Sequence, residues 1–186
     1  MENYTISNYP KDNAWDILGN LIIGRYRSLS IRQYSESTKL LEIILENKNK
    51  VDLKYINLYG ISIETDADAE IFCKFLSEYD KLRGINISGS KFGTHTAKIC
   101  DALSRATNIR QLTAGYLKDI YVGPVVDAVV NMKGLEECSI YKNNIERSML
   151  EKILNFIITA DNKVKHISFS CTDVLTEENV DLICEI

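Results

Sequence analysis

The sequence predicts an α/β fold of one particular kind: a curved solenoid of about six to seven repeats, with parallel strands on its concave face and helices on its convex face. Three observations carry that expectation. A short pattern of three apolar anchors recurs with starts at 1, 26, 53, 82, 109, 135 and 164, giving spacings of 25, 27, 29, 27, 26 and 29 residues. The residue between the second and third anchors is small and polar every time: Thr5, Ser30, Asn57, Asn86, Thr113, Ser139 and Ser168. Each unit then continues into a stretch with apolar residues at helical spacing.

The clearest units are Leu53-Lys-Tyr-Ile56-Asn-Leu58 and Leu82-Arg-Gly-Ile85-Asn-Ile87. Ile109-Leu112-Ala114, Leu135-Cys138-Ile140 and Val164-Ile167-Phe169 follow in the same spacing. Tyr26-Leu29-Ile31 fits upstream, and Met1-Tyr4-Ile6 fits weakly. Often a further apolar residue comes after the strand, as at Ile63, Phe92, Ile145 and Val174. This L-x-x-L-x-L pattern resembles the leucine-rich repeats, and spacings of 27 to 29 resemble their ribonuclease-inhibitor-like class, in which a strand alternates with a full helix. The likeness spans nearly the whole chain. It departs from the family in two ways. Isoleucine, valine and cysteine often replace leucine, and the family's asparagine near the strand end is kept only at Asn143; Tyr34, Ile61, Ser90, Leu117 and Thr172 stand there in other units.

Helices are expected over 13–23, 38–46, 67–79, 96–106, 124–132, 149–159 and 177–185. Ser148 with Glu151 has capping-box spacing. Pro124 suits a first helical position. Thr65 or Thr176 can cap with a hydroxyl. An ordinary doubly wound sheet would need strands apolar on both faces. The invariant polar residue between anchors means that one face of this sheet meets water. The expected organisation is one domain over 1–186, with residues 1–25 a degenerate N-terminal repeat or cap closed by Trp15, Leu18 and Leu21.

Bulk composition narrows the function classes. Hydrophobic residues make up 45% of the chain, and 26 acidic against 22 basic residues leave a net charge of −4, too balanced to mark nucleic acid or an anionic membrane as the partner. The start MENYTISNYPKD has neither the basic nor the apolar region of a signal peptide, and apolar runs are too short for a membrane span. A cytoplasmic location is expected, delivery into a host cell being compatible with it. The five cysteines form no CxxC pair and read as reduced thiols, Cys73 and Cys100 at matching helix positions three residues before Leu76 and Leu103.

Catalytic signals are weak. Gly84 to Lys91 nearly imitates a phosphate-binding loop, but the lysine and serine are in the wrong order and the segment is itself a repeat strand. His95 and His166 belong to no compact ligand pair, His95 reading as a solvated residue ahead of a helix. Cys171 near His166 is the one conceivable nucleophile pair, and packing explains it better. No cofactor, metal or catalytic residue is expected.

Strand side chains alternate, so the open face can be read off. Before the second anchor it carries Ser28, Tyr55, Gly84, Gln111, Glu137 and His166. After the third it carries Arg32, Tyr59, Ser88, Gly115, Tyr141 and Ser170, with Tyr116 and Lys142 next. Two clusters are expected, Tyr55 with Tyr59 and Arg32, and Tyr116 with Tyr141 and His166. Tyrosine and arginine dominate interface hot spots. Arg32, Tyr55, Tyr59, Gln111, Tyr116, Glu137, Tyr141, Lys142 and His166 are therefore the candidate partner-binding residues. The expected function is a non-catalytic protein–protein interaction module: an inhibitor, adaptor or effector-type binder. Two alternatives are a toxin-neutralising immunity protein or nuclease inhibitor, and a regulator that accelerates hydrolysis by a small GTPase, for which Arg27, Arg32, Arg83 and Arg110 are the available arginines. Because no polar capping segment follows the last strand, one of three things is expected at the C-terminal edge: self-association, a partner docking there, or continuation in a longer solenoid. Core anchors such as Ile85 should be costly to truncate, whereas Asn86→Ser should cost little.

Overall fold

The computed structural model describes residues 3–6, 26–32, 37–159 and 164–168. In chain order these form β1 (Asn3–Ile6), β2 (Ser28–Arg32), α1 (Ser37–Glu46), β3 (Tyr55–Tyr59), α2 (Asp66–Glu78), β4 (Gly84–Asn86), α3 (Thr96–Arg105) behind a short 3-10 turn, β5 (Gln111–Gly115), α4 (Asp119–Val129), β6 (Glu137–Tyr141), α5 (Arg147–Ile158) and β7 (His166–Ser168). The expected helices over 13–23 and 177–185, with Trp15, Thr176, Cys171 and the C-terminal edge beyond Ser168, lie outside the described residues.

The strands make one parallel sheet in which spatial order equals sequence order, β1 to β7. Register follows the sequence repeat. The second anchors Tyr4, Leu29, Ile56, Ile85, Leu112, Cys138 and Ile167 are lateral partners from strand to strand, and so are the intervening polar residues from Thr5 to Ser168. From Leu53 to Ile140 every anchor is at most 3% exposed. In β3 and β6 buried and more exposed residues alternate, so one face of the sheet is apolar and the other is open. The apolar face and the helices share one core, joined by Ile63, Phe92 and Ile145 after the strands. Each helix from α1 to α5 packs against the next. No described helix is long and apolar enough to cross a membrane.

Local chemistry explains the helix starts, including two that differ from expectation. Thr65 caps α2: its hydroxyl accepts from the Asp68 amide at 3.1 Å while the Asp68 carboxylate accepts from the Thr65 amide, a full capping box. Thr38, buried in the first turn of α1, donates to the same carboxylate at 2.7 Å and ties two helix starts together. By contrast α4 begins at Asp119, five residues before the expected start, and Pro124 stands inside it. Tertiary contacts decide this. The Tyr121 ring lies 5.6 Å from Phe92 and its hydroxyl accepts from the Gly93 amide at 3.1 Å, which fixes the first turn early. Gly123, without a Cβ to meet the proline ring, tolerates the helical conformation that residues before proline usually avoid. Ser148 likewise forms no cap. Glu146 is the N-cap of α5, Ser148 lies within the helix, and Glu151 pairs with Arg147 at 3.2 Å instead of reaching back. Ile145, 3% exposed, sets that start through the core.

His95 also departs from expectation. It is largely buried, with Nδ1 3.5 Å from the Asp66 carboxylate. Cys100 and Cys138 are buried free thiols, each pushed up to about 12 by loss of solvent, and the half-buried Cys73 thiol contacts the Lys98 carbonyl at 3.7 Å.

Candidate functional site

The open face of the sheet carries three rows of side chains. The middle row is the polar ladder, whose asparagines serve the backbone: Asn57 Oδ1 accepts from the Tyr59 amide at 3.1 Å, and Asn86 Oδ1 from the Ser88 amide at 2.8 Å. The row before it joins Ser28, Tyr55, Gly84, Gln111, Glu137 and His166 by register. Tyr55 lies across Gly84 so closely that a Cβ there would come within 2.5 Å of its ring. A depression of about 140 Å³ opens beside the ring, lined by Tyr55, Asn57, Gly84, Asn86 and Gln111. Gln111 Nε2 donates to Glu137 Oε2 at 2.8 Å, and His166 is the lateral neighbour of Glu137.

The third row is aromatic. Tyr141 lies over Gly115, where a Cβ would fall 2.5–2.7 Å from three ring atoms, and Tyr59 lies 3.5 Å from the equivalent point at Gly89. Between them stands Tyr116, 46% exposed. Its ring is 6.4 Å from Tyr59 and 5.4 Å from Tyr141, edge to face in both cases, and the Lys142 ammonium is 4.8 Å from its centroid. Tyr59, Tyr116, Tyr141 and Lys142 therefore form one cluster.

This regroups the sequence-derived clusters. Tyr59 joins Tyr116 and Tyr141 although β3 and β6 are three strands apart, because the small residues Gly89 and Gly115 leave the ground between them clear. Tyr55 belongs to the depression in the first row, and His166 lies in that row rather than beside Tyr141. The Arg32 backbone pairs with Tyr59; its side chain and Ser170 lie outside the described residues. Ser88 is not on the open face. It is buried, and its hydroxyl accepts from the Gly115 amide at 2.9 Å, because β4 ends at Asn86 and the chain turns inward. Gly84 to Lys91 is thus β4 and its turn, with Ser88 and Ser90 both engaged by neighbouring backbone.

Backbone conformation marks two of these residues. Two positions after the third anchor stand Gly60, Gly89, Tyr116 and Lys142, all with φ between 51° and 75°. Along the first three, the amide donates to the carbonyl of the neighbouring turn: Gly60 to Ser88, Gly89 to Gly115, Tyr116 to Tyr141. The turn needs a left-handed residue, and glycine supplies it without strain. Tyrosine and lysine cost roughly 1–2 kcal/mol more there. Asn143 holds the strained turn in place from beneath. Its Oδ1 accepts from the Leu117 amide and its Nδ2 donates to the Ala114 carbonyl, each at 2.8 Å, one residue to either side of the Gly115–Tyr116 pair. The neighbouring Tyr116 phenol is the main cause that holds the Lys142 ammonium above its ordinary value, so the side chain is charged at neutral pH.

Signals for part of this site are in the sequence. Glycines at 84, 89 and 115 flank the aromatic positions, and glycines at 60 and 89 expose the left-handed register that Tyr116 and Lys142 break. Among the described residues no three His, Cys, Asp or Glu side chains are grouped to hold a metal ion. No family model matches the chain, and no curated protein matches its sequence.

Proposed function

We propose that the chain is a leucine-rich-repeat solenoid of the ribonuclease-inhibitor-like kind, and that it binds another protein through the open face of its sheet, without catalysis. The single observation that supports this most is the strained pair Tyr116 and Lys142. At a position where glycine serves the backbone, two large side chains are held out from the sheet and packed with Tyr59 and Tyr141. Strain of this kind collects at functional sites, and tyrosines that combine apolar area with a polar tip are the usual anchors of protein interfaces. The depression beside Tyr55 adds a socket for a partner side chain on the same face.

The solenoid reading is supported by sequential parallel strands, by one strand and one helix per repeat, and by Asn143 bridging its turn to the preceding one. Regulation of a GTPase by a donated arginine has less support. Arg83 donates to the Asp80 and Leu82 carbonyls, Arg110 to those of Thr107 and Gly134, and Arg27 lies 3.7 Å from Asp52. These guanidinium groups serve the repeat ends.

Differential capture from a lysate of the source cells tests the proposal. The native chain, Tyr116→Gly, Tyr141→Ala and a helix-face control, Glu70→Ala, are immobilised and the bound proteins quantified. A partner kept by the native chain and the control but depleted at least about tenfold by both tyrosine variants is expected. Equal recovery on all four would place the binding surface elsewhere.

A further inference from the structure

Three features outside the core invite a ligand: the depression over Gly84, the half-buried Cys73 thiol, and the aromatic cluster capped by Lys142. The cluster carries the most specific chemistry. Three phenol rings meet edge to face, with centroid separations of 6.4 and 5.4 Å. One ammonium stands against the central ring at 4.8 Å. Among the described residues no carboxylate forms an ion pair with that ammonium. The cluster thus offers O–H donors and a single positive charge on a chain whose net charge is −4.

We infer that Lys142, with the hydroxyls of Tyr59, Tyr116 and Tyr141, forms a receptor for one carboxylate, presented by an acidic side chain of the protein partner. The inference rests on the reading of this face as a protein-binding surface, and adds what the partner must bring. Charge matching favours a carboxylate: one negative charge neutralises one ammonium, while a phosphate dianion would leave charge uncompensated. Charge-assisted bonds from N–H and O–H donors are stronger than their neutral counterparts. Lys142 takes the left-handed conformation, φ 51°, that Gly60 and Gly89 take at the same turn position.

The probe is 3-phenylpropanoate, a carboxylate joined to an aromatic ring, compared with 3-phenylpropanamide at constant ionic strength. Both are titrated into the isotopically labelled full chain and followed by two-dimensional NMR. The acid is expected to shift the signals of Tyr116, Tyr141 and Lys142 with a dissociation constant on the order of 1–10 mM. The amide, and the acid with Lys142→Gln, are expected to bind roughly tenfold more weakly. Lys142→Gly, which restores the residue type found at Gly60 and Gly89, should give the same loss in a chain relieved of strain. Acid and amide binding equally well, or the acid shifting exposed lysines such as Lys74 and Lys133 as much as Lys142, would overturn the carboxylate receptor. Neither result touches the capture experiment, which fails separately if Tyr116→Gly and Tyr141→Ala keep the partner.

Discussion

At the scale of single residues, the left-handed turn separates what the fold needs from what the surface does. Tyr116→Gly removes strain of roughly 1–2 kcal/mol but adds glycine's unfolded-state entropy of about 0.5–1 kcal/mol, so its net effect on stability should lie between zero and a gain of about 1.5 kcal/mol. The same change should weaken partner binding by roughly 1–3 kcal/mol. Chemical denaturation beside a binding titration would show the two effects apart, and a large loss of stability would mean that the ring is structural. Core anchors should behave in the opposite way. Ile85→Ala and Leu112→Ala are expected to cost about 2–5 kcal/mol each, since both side chains are buried and lateral partners. The neighbouring Asn86→Ser, harmless by the sequence pattern alone, should cost about 1 kcal/mol, because Asn86 accepts the Ser88 amide at 2.8 Å.

At the scale of elements, strand pairing is legible in the sequence because each anchor triplet is repeated and its polar middle residue marks the face. Helix starts are legible only where the cap is local. Thr65 and Asp68 sit three residues apart and act on each other, whereas the starts of α4 and α5 are decided by Tyr121 against Phe92 and by Ile145 in the core, contacts that no short window contains. The α2 cap also predicts a pH dependence. Burial alone would raise Asp68, but hydrogen bonds from Thr38 and Thr65 outweigh it and hold the carboxyl below its ordinary value. Its contribution is therefore fully present above the unfolded-state value near 3.9 and is lost as pH falls through the folded-state value. The stability gap between the native chain and Asp68→Asn should be widest at neutral pH and close under acid. A gap that stays constant from neutral pH down to about pH 3 would exclude the carboxylate as its source.

At the scale of the whole molecule, each interior strand and helix packs mainly on its sequence neighbours, so cohesion is passed along the chain. Hydrogen exchange should show this. Leu112→Ala is expected to lower amide protection most in β4, β5 and β6 and less in β2, and a uniform loss across the sheet would indicate a single all-or-none unit instead. The candidate site is legible in outline only. Which tyrosines face outward follows from strand alternation. Their true grouping does not, because it depends on how rings lean across glycines on strands far apart in sequence, and on a turn whose left-handed residue is obvious only when it is glycine.

That turn has a consequence for how recognition could diversify. Residues 60, 89 and 116 meet the next turn through main-chain bonds, and with residue 142 they form a line along one rim of the sheet. What each of them displays is independent of the buried anchors, so the rim is a set of replaceable letters on a fixed page. Each letter other than glycine carries strain of roughly 1–2 kcal/mol, of which glycine's own unfolded-state entropy offsets about 0.5–1, against a typical total stability of about 5–15. A descendant of this chain could trade Tyr116 or Lys142 for glycine, shed that strain, and display a different side chain at position 60 or 89 without altering a single core residue.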